Sequence, residues 1–463
     1  MSDLHIVILA AGKGTRMKSS LPKVAHTLGG LPIIEHVIRT AEELQAASTV
    51  VVVGHGADVV RELLNGRRNI DFVTQSPQLG TGHAVLQAEP KLAGKSGTVI
   101  LLYGDVPLLR PDTLRRLLER HQAHRAAATV LTAELADPYG YGRIVRDRSG
   151  AIERIVEERD ASGDERGICE VNSGIYAFAL DPLFGAVKAL ATDNAQGEYY
   201  LTDLVAAYRR RGLVVETLRV EDPAELQGVN TRADLAELGM RMLSRRRRDL
   251  MLGGVTLEDP SSVYVDVDVK VAEDTVIAPG VLLTGRTTVG RGCRIGAGSR
   301  ITDSDLSDGV TILDHTLVVS STIATGATVG PFAHIRPESV VSEGARVGNF
   351  VELKKTRLGP GSKANHLAYL GDATIGSNVN IGAGTITCNY DGVNKNPTTI
   401  GDNVFVGSDS QLIAPITIGS DAYVAAGSSV TEDVPAGSLA IARSRQVNKA
   451  GWAAKRSVKR KGH

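Results

Sequence analysis

Two hydrophobic rhythms divide the chain. In the first half, short apolar runs at His5–Leu9, Val50–Val53 and Thr98–Leu102 each end in glycine or a polar residue, and amphipathic stretches such as Ile33–Leu44 lie between them. Runs of this length predict buried parallel strands, and their alternation with helices predicts an open α/β sheet. In the second half an aliphatic residue recurs every sixth position, at Val265, Val271, Ile277, Leu283, Val289, Ile295 and Ile301. The register slips by one at Leu306, runs through Ile312 and Val318, and resumes from Ile323 through Val329, Ile335, Val341 and Val347 to Leu353. It continues at Leu358, Ala364, Leu370, Ile375 and Ile381 and, after an insertion, at Ile400, Val406, Leu412, Ile418, Val424 and Val430. A period of six fits neither helix nor coiled coil. It predicts short strands joined by turns and stacked as a parallel β-helix, with the aliphatic ladder inside and glycine at the corners.

Between the two rhythms, Thr231 is a plausible N-cap for a helix from Arg232 to about Met251, stopped by Gly253 and Gly254. The expected organisation is therefore an α/β domain over 1–230, a helical linker over 231–254 and a β-helix over 255–463. Arg245 to Arg248 lie on the linker and are expected to form a solvated face. A basic stretch, Lys455 to Lys461, reads as a mobile tail able to touch phosphates.

Composition narrows the function. Of 463 residues, 50 are glycine and only 4% are aromatic, as a turn-rich repeat requires. Lys plus Arg and Asp plus Glu both number 52, so no global field argues for nucleic acid or an anionic membrane. Three scattered cysteines, Cys169, Cys293 and Cys388, make neither a disulfide framework nor a zinc cluster and point to a reducing, cytoplasmic compartment. The opening MSDLHIVILAAGKG lacks the charge pattern of a signal peptide, and no apolar run reaches the roughly 18 residues of a membrane span.

Three segments carry candidate chemistry at the carboxyl ends of strands, where open α/β sheets bind ligands. LAAGKGTRM, Leu9 to Met17, has no Walker sequence; Gly12 and Gly14 would let backbone amides approach a triphosphate, while Arg16 and Lys23 supply cations. LLYGDVP leaves Asp105 just past a strand, where a carboxylate can hold Mg2+ through oxygen. Gln75, with Gly80 and Thr81 after it, offers an amide that can match the adjacent donor and acceptor of uracil.

The hexads resemble the hexapeptide-repeat acyltransferases, which implies a left-handed prism and a homotrimer. The whole chain from Leu4 to Trp452 resembles the bacterial bifunctional enzymes of UDP-N-acetylglucosamine synthesis. The resemblance is carried by LAAGKGTRM, LLYGDVP, GYGRIV (140–145), NAQGEYYLTD (194–203), GVN (228–230), VGNFVELKK (347–355), NIGAGTITCNYDG (380–392) and VFVGSDSQL (404–412). It implies a Rossmann-like nucleotidyltransferase domain joined by a helix to a left-handed parallel β-helix. In the first domain it implies Leu9, Ala10, Gly12, Arg16, Lys23, Gln75, Gly80, Thr81 and Tyr103 around UTP. Gly142, Glu157, Asn172 and Asn230 would line the sugar, with Asp105 and Asn230 on Mg2+. In the second it implies His366 as general base, Arg336, Lys354, Tyr369 and Asn380 on glucosamine 1-phosphate, and Ala383, Asn389, Tyr390, Ser408, Ala426 and Arg443 on acetyl-CoA. Glu352 is a weaker candidate for orienting His366. The expected partners are small molecules, with no nucleic acid or membrane.

Overall fold

The computed structural model describes residues 3–457. The chain divides into two compact units, Met1–Met242 and Leu243–His463.

The first unit is a sheet with helices on both sides. Its strands are β1 (Leu4–Ala10), β2 (Ser48–Val53), β3 (Ile70–Thr74), β4 (Thr98–Tyr103), β5 (Ala128–Glu134), β6 (Arg143–Arg146), β7 (Ile152–Val156), β8 (Glu170–Ala179) and β9 (Val215–Arg219). The order is β9-β5-β8-β4-β1-β2-β3, with the hairpin β6–β7 attached to β8. The three apolar runs of the sequence are β1, β2 and β4, mutually parallel at the centre. Alternate residues of β1 supply the two sides: Val7 and Leu9 join one core, Ile6, Ile8 and Ala10 the other. The sheet departs from wholly parallel at the hairpin β6–β7 and at β8, which runs antiparallel to β4 and β5 with a register shift between Asn172 and Tyr176. Gly174, at φ 80, sits in that bulge against the Tyr103 ring, where a Cβ would come within 2.6 Å of Cε2.

The second unit is a left-handed parallel β-helix of three sheets. Strands of two to four residues pair with the strand one coil on, as in Val265 with Leu283, Leu283 with Ile301 and Ile301 with Val318. Every aliphatic position of the six-residue ladder is buried in one continuous core except Val271, which is half-buried against it. Glycine is only part of the corner chemistry. Asp274, Asp303, Asn378, Asn403 and Asp421 also adopt positive φ there, because a short polar side chain tolerates the left-handed region by bonding locally. The carboxylates of Asp303, Asp308 and Asp314 each accept the N–H of a turn one coil earlier, at Arg286, Arg291 and Ala297, at 2.7–2.9 Å. They pin the stacking register.

The helix Arg232–Leu252 begins and ends as its sequence predicts. Asp234 N bonds Thr231 Oγ1 at 3.1 Å, and Asp234 Oδ2 returns to the N–H of Thr231 and Asn230, both at 2.9 Å. Gly254 takes φ 89 at the other end. The arginine run is not wholly solvated. Arg246 and Arg247 are half-buried and donate to the carbonyls of Val269 and Ser261, whereas Arg245 and Arg248 are exposed. Lys455 and Arg456 belong to a short helix, Trp452–Ser457; the rest of that basic stretch, 458–461, lies outside the described residues. Among the described residues no helix is long and apolar enough to cross a membrane.

Candidate functional sites in the two units

The carboxyl ends of β1 and β4 open into a cavity of about 390 Å3. Leu9, Ala10, Gly12, Lys23, Gln75, Gly80, Thr81, Tyr103, Asp105 and Asn230 line it, residues drawn from segments as far apart as 9 and 230 in the chain. The two loop glycines have different reasons. Gly14 has φ 60 and its Cβ would meet Lys23 Cβ at 2.8 Å, so local geometry requires it. At Gly12 a Cβ would meet nothing within 4 Å; glycine there keeps the backbone open toward the cavity.

The cations and oxygens converge. Lys23 Nζ pairs with Asp105 Oδ2 and lies 3.3 Å from Asn230 Oδ1, which also accepts from Arg16 Nη2 at 2.9 Å. Two hard oxygens, one carboxylate and one amide carbonyl, thus converge on the Lys23 ammonium. That donor set suits Mg2+, which keeps several waters and takes the remaining ligands from substrate phosphates. Among the described residues no cluster of three or more His, Cys, Asp or Glu offers an all-protein metal cage.

The opposite wall explains the NAQGEYYLTD motif. Tyr199 N bonds Leu79 O at 2.9 Å, Gly82 N bonds Tyr199 O at 2.8 Å and Leu201 N bonds Thr81 Oγ1 at 3.2 Å. Gly80, at φ 104, leaves no room for a Cβ against Tyr199 O. Two polar cavity residues were not foreseen. Gln78 reaches back to Ala11 O across the phosphate loop, and Glu198 lines the cavity from the motif just described. Glu198 sits in a quoted motif and Gln78 between Gln75 and Gly80, but their direction depends on how the loops pair.

Gly142, Glu157 and Asn172 form a second cluster. Asn172 N bonds Gly142 O at 2.8 Å, and a Cβ on Gly142 would lie 3.5 Å from Glu157 Oε2. Glu157 accepts from Thr202 Oγ1 at 3.1 Å, yet burial still holds its pKa above the ordinary value. Tyr103 lines the nucleotide cavity and feels the Glu157 charge. Burial first, then Glu157 and Asp105, push its phenol well up. The two clusters are therefore neighbours across one ring.

In the second unit the candidates fall on two adjacent faces of the prism. Lys363, Asn380, Phe405 and Tyr423 pair in succession along one sheet. Three residues further on in each coil stand His366, Ala383, Ser408 and Ala426, so the expected base and three expected acetyl-CoA residues occupy one column. Arg443 continues it, its Cδ 3.6 Å from where a Cβ on Gly427 would be. On the neighbouring sheet Lys354 follows Glu352, and Glu352 pairs in register with Tyr369. Arg336 Nη1 donates to Glu352 Oε1 at 2.7 Å. Glu352 is thus engaged by Arg336 on its own face and does not orient His366, whose exposed ring has no hydrogen-bond partner among the described residues. Asn389 Nδ2 donates to Asp372 Oδ2 at 2.5 Å and lies 3.5 Å from the Tyr369 hydroxyl, an Asp that sequence reasoning passed over. The insertion is a hairpin in which Tyr390 bridges Lys395, whose ammonium sits 4.1 Å above the Tyr390 ring.

Comparison with known proteins agrees with both units. Residues 6–174 match the MobA-like NTP transferase domain, residues 261–363 the GMPPB C-terminal domain and residues 397–432 the hexapeptide repeat of succinyl-transferase. The bifunctional protein GlmU of Geotalea uraniireducens is 50% identical over 456 residues, covering 98% of this chain and 100% of its own. That of Brevibacillus brevis is 50% identical over 462 residues, covering 100% and 99%, and that of Streptococcus suis 47% over 453, covering 98% of each. With a nucleotidyltransferase sheet followed by a hexapeptide β-helix, and half of its residues shared along its full length, the chain belongs to the GlmU family of bifunctional proteins.

Proposed function

We propose that the chain makes UDP-N-acetylglucosamine in two steps, acetylating glucosamine 1-phosphate in the β-helix and then transferring UMP from UTP in the first unit. It is a transferase in both halves, and the observation that carries the reading is the convergence of two separate constellations. One gathers Lys23, Asp105 and Asn230 in a nucleotide-sized cavity; the other sets His366 at the head of a column of small residues.

In the acetyl step the amine of glucosamine 1-phosphate attacks the thioester carbonyl of acetyl-CoA, His366 takes the amine proton and the thiol of coenzyme A leaves. An imidazole, with an ordinary pKa of about 6.5, suits that transfer near neutrality. Arg336 and Lys354 supply charge for the sugar phosphate, with Tyr369 and Asn380 beside it. Ala383, Ser408 and Ala426 leave a smooth track for an extended thioester arm, with Asn389, Tyr390 and Arg443 at its sides.

In the uridylyl step a phosphate oxygen of N-acetylglucosamine 1-phosphate attacks the α-phosphorus of UTP in line, and pyrophosphate leaves. Leu9, Ala10 and Gly12 offer backbone to the phosphates, Arg16 and Lys23 neutralise them, and Gln75, Gly80 and Thr81 hold the base. Gly142, Glu157 and Asn172 hold the sugar. Asp105 and Asn230 would hold Mg2+, which when bound offsets charge on the phosphates.

The chain is an oligomer of the hexapeptide type, and a homotrimer is the proposed form. His315, Phe332 and Phe350 stack along one edge at 5.3 and 5.5 Å and continue to exposed Leu367, next to His366; such an apolar edge suits burial against another copy. The proposed compartment is the cytoplasm, where both co-substrates are available.

The test is mass spectrometry of products from glucosamine 1-phosphate, acetyl-CoA, UTP and Mg2+, each omitted in turn. UDP-N-acetylglucosamine is expected only with all four. Uridylylation of supplied N-acetylglucosamine 1-phosphate without any acetylation would make the β-helix structural and overturn half of the proposal.

A further inference from the structure

The base-binding amide of the cavity has a second layer. Gln75 is buried, and its Nε2 donates to Gly80 O at 3.0 Å while lying 3.3 Å from His83 Nδ1. On the other side of the ring, His83 Nε2 lies 3.1 Å from Gln87 Nε2, which also reaches the His83 carbonyl at 3.1 Å. A neutral imidazole carries one proton, so its two nitrogens cannot both accept; one must face an amide oxygen. The Gly80 carbonyl fixes the NH2 end of Gln75 from a second direction. Gln87 has the His83 carbonyl as its second partner, but it is half-buried where Gln75 is buried, so water can replace that bond and Gln87 is the amide that can turn its oxygen to the ring.

We infer that His83 is a specificity-determining positioning residue, which holds the Gln75 amide in one orientation and thereby selects uracil over cytosine. The inference rests on the reading of the cavity as a UTP site. With both amide protons engaged, by Gly80 O and by His83 Nδ1, Gln75 has only Oε1 left for a ligand. An acceptor in that position welcomes N3–H of uracil. Cytosine has a lone pair at N3, so the same oxygen meets it lone pair to lone pair. If the amide were free to turn, it would offer a donor to cytosine equally well, and discrimination would fall. His83 lies in the short helix Thr81–Leu86, which the Tyr199 backbone anchors, so the ring and the Gly80 carbonyl move as one body around Gln75.

The experiment compares kcat/KM for UTP and CTP, with N-acetylglucosamine 1-phosphate and Mg2+, in the full chain and in His83→Ala, His83→Phe and His83→Asn. The phenyl ring fills the imidazole space without an acceptor, so it preserves packing if the alanine variant fails to fold. The Asn side-chain oxygen can stand in for Nδ1. The UTP/CTP ratio is expected to fall about tenfold, the worth of one misplaced hydrogen bond, in the Ala and Phe variants, and to be largely retained in Asn. A purely structural role would lower both rates together and leave the ratio alone; a ratio within twofold of the unaltered chain in His83→Phe overturns the inference. If the unaltered chain itself turns over neither nucleotide, the failure belongs to the UTP reading instead.

Discussion

Lys23 and Asp105 form an ion pair in which the ammonium lies between the Asp105 carboxylate and Asn230 Oδ1, the two oxygens proposed to hold Mg2+. Both side chains are about 15% exposed, so the pair is partly shielded from water. The same lysine is proposed to neutralise the phosphates of UTP. The two roles exclude each other at any moment: a metal entering between the oxygens must release the ammonium, and a released ammonium is free for phosphate. Lys23→Gln is therefore expected to tighten Mn2+ binding in the absence of nucleotide roughly threefold to tenfold, on the order of 1 kcal/mol for a partly shielded ion pair, while weakening UTP. Mn2+ titration followed by electron paramagnetic resonance and UTP titration by calorimetry read the two separately. Parallel loss of both affinities would show that Lys23 helps hold the metal rather than compete with it.

The two proposed centres should also separate genetically. Asp105→Ala is expected to abolish uridylyl transfer and leave acetyl transfer intact. His366→Ala should do the reverse, lowering acetyl transfer by roughly 10²- to 10⁴-fold, the usual worth of a general base. Each rate is measured with its own intermediate supplied. A variant that folds and loses both activities would contradict independent sites.

The repeat was legible because its physics is one-dimensional: a small alphabet of aliphatic residues at a fixed spacing names the interior position of every strand, from Val265 to Val430. The same period locates His366, Ala383, Ser408 and Ala426 in one column without any long-range reasoning. The nucleotide cavity is different. Asp105 and Asn230 are far apart in sequence, and only the motifs suggested that they meet. What the sequence concealed is orientation. Glu352 lies within the VGNFVELKK motif yet turns to Arg336, and Arg246 and Arg247 leave an apparently uniform basic run to bond carbonyls. The bulge that aims Asn172 and the wall made by Tyr199 arise from strand pairing, which local composition does not encode.

A buried histidine should make the first unit sensitive to acid. His121, on the helix Pro111–Ala123, is fully packed, with Nδ1 3.1 Å from Thr129 Oγ1, and burial lowers its pKa from 6.5 to about 4. Above pH 6.5 the ring is neutral in both folded and unfolded chains and has no effect on stability. As pH falls from 6.5 toward 4 the unfolded chain takes the proton and the folded chain does not, so stability is lost across that window. The loss between pH 6.5 and 5 is about 2 kcal/mol at roughly 1.4 kcal/mol per unit. His121→Gln keeps a polar partner for Thr129 and cannot titrate. Urea unfolding at pH 7 and pH 5, followed by circular dichroism, should show the unaltered chain losing more than the variant by that amount; equal losses would assign the acid sensitivity elsewhere.

Stacking distance and catalysis meet at Gly348. It lies one position before Asn349, whose register partner on the next coil is His366. A Cβ at 348 would fall 2.0 Å from the Asn365 carbonyl oxygen, a backbone atom that cannot swing aside as a long side chain would. Gly348→Ala must therefore spread two coils at the level of the proposed base. Overpacking of this kind costs about 1–3 kcal/mol, and a displacement approaching 1 Å at a reacting group costs about 10²-fold in rate. The variant is expected to melt earlier in its β-helix and to lose acetyl transfer by at least tenfold, with uridylyl transfer unchanged because its cavity is built wholly within the first unit. Gly344→Ala, by contrast, meets nothing within 4 Å, and at φ 63 it carries only the backbone cost of a non-glycine corner. It should lower the melting temperature slightly and leave both activities in place. Equal effects of the two substitutions on acetyl transfer would mean that general loosening of the coils, rather than the position of His366, sets the rate.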